Sequence, residues 1–547
     1  IASRSPHHGP VPSFEARDAF GVHQLASLLM ELDPSDEASQ ILCADALYQL
    51  DCVEEAHRIL LVALSRNPQR SPILARLALL QLKKGFLYDG TQLLKKVIQI
   101  GDSSCLLLIM DIFKDEDRKL MQTHCHSRAM TILKNKQGDT YVKEAIANLS
   151  FAIIASGGYA EESLLTRARC YGHLGQKKTA IFDFNAILKE DPRNVQALSG
   201  RGFIYLALNQ QKEAVQDLTS ALKEDAAVAI PEILSLKHEA QVLITQWLLD
   251  HCRTVLTELV ADKDLPKEET LKDLIVIGGS LIKINSKEAR CHILYTDILI
   301  AGGKYEDALL HLQGSFGQAI ADKSANARLA VLQLKRRNML PAAHSLSILA
   351  EKGHGELGFL LNFLDAKQRQ NLSQVAAHEG NALIKDHHYE TALNYYSLAI
   401  LSSNNNPRYL RQRAACLMQL KEYGQALKDV DKVIQKHESH GLRAQAEDHC
   451  SKGQILLLLA DAEAAVKQYI QALQLDQSLA LCSITNGPGR KILAQTFHQI
   501  AQHYFEIPRY EEAWKTVAYG LIIDTNNNEL KKLKTRIKRE ASGCSVH

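Results

Sequence analysis

The sequence predicts an all-α fold, an α-α superhelix in which paired helices stack into a solenoid. Three observations carry this. Small residues recur at a step of 34: Ala44, Ala56, Ala63 and Pro68 are followed by Ala78, Gly90, Val97 and Asp102. The same step carries Ala168, Ala180, Phe184, Ile187 and Pro192 onto Gly202, Ala214, Leu218, Ala221 and Ala226, and Gly380, Ala392, Tyr396 and Ala399 onto Ala414, Ala426, Val430 and Val433. One position is Ala or Gly in every well-formed unit, as Ala56, Gly90, Ala180, Ala214, Ala308, Ala342, Ala392, Ala426, Ala465 and Ala513; in four of them a tyrosine precedes it by three, at Tyr305, Tyr389, Tyr423 and Tyr510. Self-similarity at such a period marks a supersecondary unit that buries its apolar face only by stacking on its neighbours.

Each unit reads as two antiparallel helices, A then B. The small residues of helix A and of the start of helix B lie where the two backbones come closest; a larger side chain there overpacks the contact at about 1–3 kcal/mol. Tyr171, Phe184, Tyr205 and Tyr396 fill the wedges between. Proline near the end of helix B stops it, because it has no N–H and its ring clashes with the preceding turn. Residues 1–13 are a loose lead-in, and 14–36 half a repeat, a helix B alone. An N-terminal array follows at 37–228, with units at 37–70, 71–104, 161–194 and 195–228 and a divergent one at 105–160. A divergent helical unit at 229–288 has a long helix A from Leu234 to Val260 and a helix B from Glu269 to Ile284. Two units at 289–356 precede a break at 357–372. The C-terminal array covers 373–527, with an inserted loop at 480–493 around Asn486-Gly487-Pro488-Gly489, and 528–547 is a polar capping helix and tail rich in Lys531, Lys532, Lys534, Lys538 and Arg539. Since solenoids normally start on a capped unit, the half repeat suggests a piece of a longer array.

The period and its small residues resemble the tetratricopeptide repeat, over about residues 14–540. The resemblance implies a right-handed superhelix whose helix-A side chains line a concave groove for extended or helical peptides, and so a non-enzymatic scaffold or adaptor. It also names a subtype to test, a carboxylate clamp of Lys and Asn, then Asn, then Lys and Arg on three successive helices A, which would make the chain a co-chaperone docking an acidic C-terminal tail of a heat-shock chaperone. Asn381 matches the first Asn, but Ala377 stands at the first Lys position, Gln412 at the second Asn, and Glu447 and Ser451 at the last two cations. That pattern argues against the clamp. A third alternative is the substrate-recruiting arm of an enzyme complex.

A different set of polar residues is the candidate peptide site. Arg408 and Arg411 are three apart, one face of a helix A, with Gln412 beside them and Asn381 on the neighbouring helix. Together they could receive an acidic side chain or a C-terminal carboxylate; the plain alternative is a solvated charged face. Arg167, Arg169 and Arg201 form a second cluster, with Arg201 expected to pair with a nearby acid.

The remaining composition excludes more than it suggests. A net charge of +2 over 547 residues gives no basic stripe for nucleic acid, and no apolar run reaches the roughly 18 residues of a membrane span. The 11 cysteines form no C-x-x-C pair, which fits a reduced, cytoplasmic chain, with nuclear or ciliary settings also open. His124-Cys125-His126 are adjacent on a helix and diverge, so no metal is expected. Gly487-Pro488-Gly489-Arg490-Lys491 lacks the order of a phosphate loop. Neither a cofactor nor a catalytic grouping is expected.

Overall fold

The computed structural model describes residues 16–102, 104–262, 267–350, 354–436 and 441–543; the expected lead-in at 1–13 lies outside them. Among the described residues every regular element is a helix. The chain divides into two compact units, 1–252 with 276–288, and 253–275 with 289–547.

In the first unit α1 (Ala16–Leu32) precedes α2 (Glu37–Gln49) with α3 (Val53–Arg66) and α4 (Ser71–Lys83) with α5 (Leu87–Ile100). A short α6 (Ser104–Met110) leads to α7 (Asp115–Asn135) with α8 (Asp139–Ala155), then α9 (Glu161–His173) with α10 (Lys177–Glu190) and α11 (Val195–Ala207) with α12 (Gln211–Leu234). The division passes through α13 (His238–Ala261) and α14 (Lys267–Ile284). The second unit continues with α15 (Ala289–Ala301) and α16 (Tyr305–Phe316), α17 (Lys323–Lys335) and α18 (Met339–Ala350), and the short α19 (His354–Leu361). Next come α20 (Ala366–Lys385) with α21 (Tyr389–Ser402), α22 (Pro407–Gln419) with α23 (Tyr423–Gln435), α24 (Leu442–Leu458) with α25 (Ala462–Leu475), α26 (Gln477–Asn486), α27 (Arg490–Glu506) with α28 (Tyr510–Ile523), and α29 (Asn528–Gly543).

The small position at the start of helix B is buried in all ten units. Its steric reason is plain at Gly90, where a Cβ would lie 2.7 Å from Leu82 Cδ2. A second periodic feature fixes the turn from helix A to helix B. Asp51, Gly85, Gly175, Asn209, Gly303, Arg337, His387, Lys421 and Ala460 all have positive φ, between 57° and 83°. This left-handed turn lets the chain reverse within four residues, whether or not glycine is there to make it cheap.

Three irregular stretches differ from expectation. The break at 357–372 is helical on both sides of a short turn: α19 runs to Leu361, and α20 starts at Ala366 on a capping box between Asp365 and Gln368. The inserted loop at 480–493 holds a helix, because Asp476 caps α26 and Ala480 and Ile484, one turn apart, are buried; only Gly487–Gly489 form the turn. The long helix expected from Leu234 to Val260 is present as α13 but starts later, because Leu234 closes the helix before it. α12 bends at Asp225, whose backbone is extended (φ −153°, ψ 96°) and whose carboxylate accepts from Ala227 N at 2.9 Å, so that residues 226–234 start afresh as a short helix; α13 begins only at His238.

Candidate functional site

The helix-A faces carry arginines, and most are closed by aspartates. Arg167 donates through Nε and Nη2 to Asp183 at 2.8 and 2.7 Å and through Nη1 to Ser150 Oγ at 2.9 Å. One period later Arg201 repeats the arrangement with Asp217, both bonds 2.7 Å, and with Asn185. Arg413 does so again with Asp429 and Ser397. In each case the acid lies 16 residues on, on the antiparallel helix B of the same repeat. A second type of fork joins successive helices A: Arg76 to Asp45, and Arg328 to Asp297. Paired forks on carboxylates give both strength and fixed geometry.

Of the candidate site residues, Asn381 lies on α20 and Arg408, Arg411 and Gln412 on α22. The structure brings Asn381 and Gln412 together: Asn381 Oδ1 accepts from Tyr396 Oη at 2.7 Å and from Gln412 Nε2 at 3.2 Å. Burial pushes the Tyr396 phenol up to about 12, so it is a donor here. Arg411 turns away to Asp448 on α24, bonded at 2.7 and 2.9 Å, and those bonds hold its pKa above the ordinary value. Arg408 is exposed, with no side-chain partner among the described residues. The expected pair of open guanidinium groups therefore reduces to Arg408. The reason is that helical spacing places two residues on one face but says nothing of an acid on the next helix. Arg201, as expected, pairs with an acid.

Arg169 on α9 is different. It makes one bond, from Nη2 to Glu232 Oε1 at 2.6 Å, and its side chain remains 48% exposed. Glu232 Oε2 is buried and has no hydrogen-bond partner among the described residues. Burial raises the pKa of the Glu232 carboxyl, and Arg169 only partly opposes it. The pair stands at the lip of a cleft of about 550 Å³ lined by Gly172, Gly200, Phe203, Ile204, Ser235 and Leu236 among others. Two glycines let its walls pack closely. A Cβ at Gly200 would lie 2.4 Å from Phe184 Cζ, and one at Gly172 2.9 Å from Ile204 Cδ1. Glu232 was not among the sequence candidates, because the bend at Asp225 that brings it over α9 leaves no mark in the periodicity.

The His124-Cys125-His126 triplet diverges: His124 Nε2 faces Thr91, His126 Nδ1 faces Ser163, and Cys125 is fully buried. Among the described residues no helix is long and apolar enough to cross a membrane.

Stacked helix pairs with a small residue at each A–B contact define a tetratricopeptide-repeat protein, a class of scaffolds for protein–protein interaction. A family model described as the fourth ARM domain of tetratricopeptide repeat protein 21 matches residues 375–516. The chain is 60% identical over 536 residues to tetratricopeptide repeat protein 34 of Xenopus laevis, covering 98% of this chain and 95% of that one. It is 48% identical to the Homo sapiens protein of that name, over the whole of both chains. The chain belongs to the tetratricopeptide repeat protein 34 family. Among solved structures, a tetratricopeptide repeat protein from Parabacteroides merdae aligns at 16% identity and TM-score 0.21, over 53% of this chain and 98% of that one.

Proposed function

We infer that the chain is a non-enzymatic scaffold that holds an extended segment of a partner protein in the cleft beside α9 and α11. The observation that carries this reading is the cleft itself: apolar walls at Phe203, Ile204 and Leu236, and at its lip a guanidinium that is half exposed and only singly bonded. Concave sites with apolar walls and a few placed polar groups are the usual form of a binding site. The C-terminal residues support docking of an acidic tail less well, since Arg411 is already held by Asp448. No disulfide joins the described cysteines, and the 11 cysteines of the sequence form no C-x-x-C pair, which supports a reducing setting.

Site-specific photo-crosslinking tests the reading. A benzophenone side chain at Phe203 should capture a partner, whereas the same group at Phe182, 73% exposed on α10, should not. Ser235→Trp, a change at an exposed residue lining the cleft, should abolish capture. Equal capture from both positions, or capture that survives Ser235→Trp, places the interaction elsewhere.

A further inference from the structure

Arg76, Arg167, Arg201, Arg328, Arg411 and Arg413 each engage one carboxylate through two nitrogens. Arg169 and Glu232 do not complete this geometry. One bond forms, half of the Arg169 side chain faces solvent, and the second oxygen of Glu232 is buried without a donor. A buried acceptor left unsatisfied costs free energy, and a guanidinium bound at one nitrogen keeps a free edge for another carboxylate. Glu232 also has somewhere to go. Its neighbours Pro231, Leu234 and Ser235 are exposed, while Ala229, Ile230 and Ile233 anchor the short helix in the core. Rotation about its side-chain bonds brings the carboxylate to water without moving that helix.

Resting on the cleft reading above, we propose that Glu232 is an internal competitor for Arg169, displaced when an acidic side chain of the bound segment takes the open guanidinium. The ligand is then a segment in which a carboxylate is flanked by apolar residues. The carboxylate pairs with Arg169, and the flanking residues meet Phe203, Ile204 and Leu236. The exchange trades one internal bond for a paired fork and returns Glu232 to solvent, so part of the binding energy opposes the competitor and affinity is held down until it is removed.

The test uses the full chain and a fluorescein-labelled pentapeptide, acetyl-Leu-Glu-Leu-Glu-Leu-amide, with its twin in which both Glu are Gln. Fluorescence anisotropy at low ionic strength should show the acidic peptide binding more tightly than the twin. Glu232→Gln and Glu232→Ala should each tighten the acidic peptide about threefold, the scale of a partly exposed ion pair, and leave the twin unchanged. Arg169→Gln should reduce the acidic peptide to the level of the twin, and Arg169→Lys, which keeps the charge but loses the fork, should lie between. Circular dichroism of each variant checks the fold. If the acidic peptide binds but neither Glu232 variant improves it, the competitor is overturned and the cleft reading stands. If neither peptide binds even with Glu232 removed, both are overturned.

Discussion

The fork between Arg328 and Asp297 is the most deeply buried charge pair described, with both side chains at 0% exposure. Arg328 donates to both oxygens of Asp297 at 2.9 Å and through Nη1 to Ser324 O at 3.1 Å and to Glu356. Among the described residues one other cation is near: Arg253 Nη1 lies 3.9 Å from Asp297 and its guanidinium sits 4.7 Å above the Phe359 ring. Arg328→Met keeps most of the side-chain length and removes the charge, leaving Asp297 in a dry site with one distant partner. Breaking a buried pair from one side costs about 3–5 kcal/mol, and the contact with Arg253 recovers part, so the expected loss is about 3 kcal/mol. The double change Arg328→Met with Asp297→Leu should return to within about 1 kcal/mol of the starting protein, because an apolar replacement of a buried pair is close to neutral. Glu356, a quarter exposed, can turn to water.

A repeat array unfolds locally rather than as one two-state body, so the measurement is amide hydrogen exchange read by mass spectrometry over α15 and α17. A loss of 3 kcal/mol corresponds to exchange roughly a hundredfold faster there if local opening limits it. Peptides from α27 and α28 should be unchanged. Exchange within about threefold of the starting protein in the single variant, or a double variant as labile as the single one, would refute the argument that an unpaired Asp297 carries the cost.

Ala460 holds the left-handed turn at φ 62°. Relief of that strain, about 1–2 kcal/mol, outweighs the greater flexibility of unfolded glycine, so Ala460→Gly should slow exchange in α24 and α25, and Gly303→Ala should do the opposite in α15 and α16. Among the described cysteines, exposed Cys52 and Cys482 should react with iodoacetamide within minutes at pH 8, whereas Cys125, buried with its thiol pushed up to about 12, should react only after denaturation; equal rates by mass spectrometry would contradict the burial. The raised pKa of Glu232 means that the native state binds its proton more tightly than the unfolded chain does. Its favourable contribution is full below the unfolded value, about 4.3, and is lost as pH rises through the folded one. Glu232→Gln should therefore stabilise α11 and α12 slightly at pH 7, with the gain fading in acid; a gain that grows on acidification would reverse the sign.

The packed part of this fold was legible because stacking repeats the same steric demand: every helix A must approach its helix B at one place, and Ala or Gly records it at Ala56, Gly90 and the eight positions that follow. The turn was only half legible. Gly85, Gly175 and Gly303 show a left-handed residue, but Arg337, His387, Lys421 and Ala460 fill the same place, since the packed helices on either side impose the conformation at a cost that local propensity does not reveal. The forks of Arg167 and Arg201 do repeat in the sequence, with Asp183 and Asp217 each 16 residues later, and that double regularity identifies them as structural.

The same logic explains why the candidate site was hard to find. Arg411 and Asp448 are 37 residues apart, three more than the period, so their pairing is invisible to a search at 34. Glu232 reaches Arg169 across 63 residues, which is not a multiple of the period, with the bend at Asp225 between them. An arginine whose acid keeps the spacing of the repeat, as Asp183 does for Arg167, is held by its neighbours in the stack. A partner that arrives out of register can leave the pair incompletely formed. The bend at Asp225 does this for Glu232: it delivers a carboxylate to Arg169 at an angle that completes one bond and not two, and so leaves a cation at the lip of the cleft.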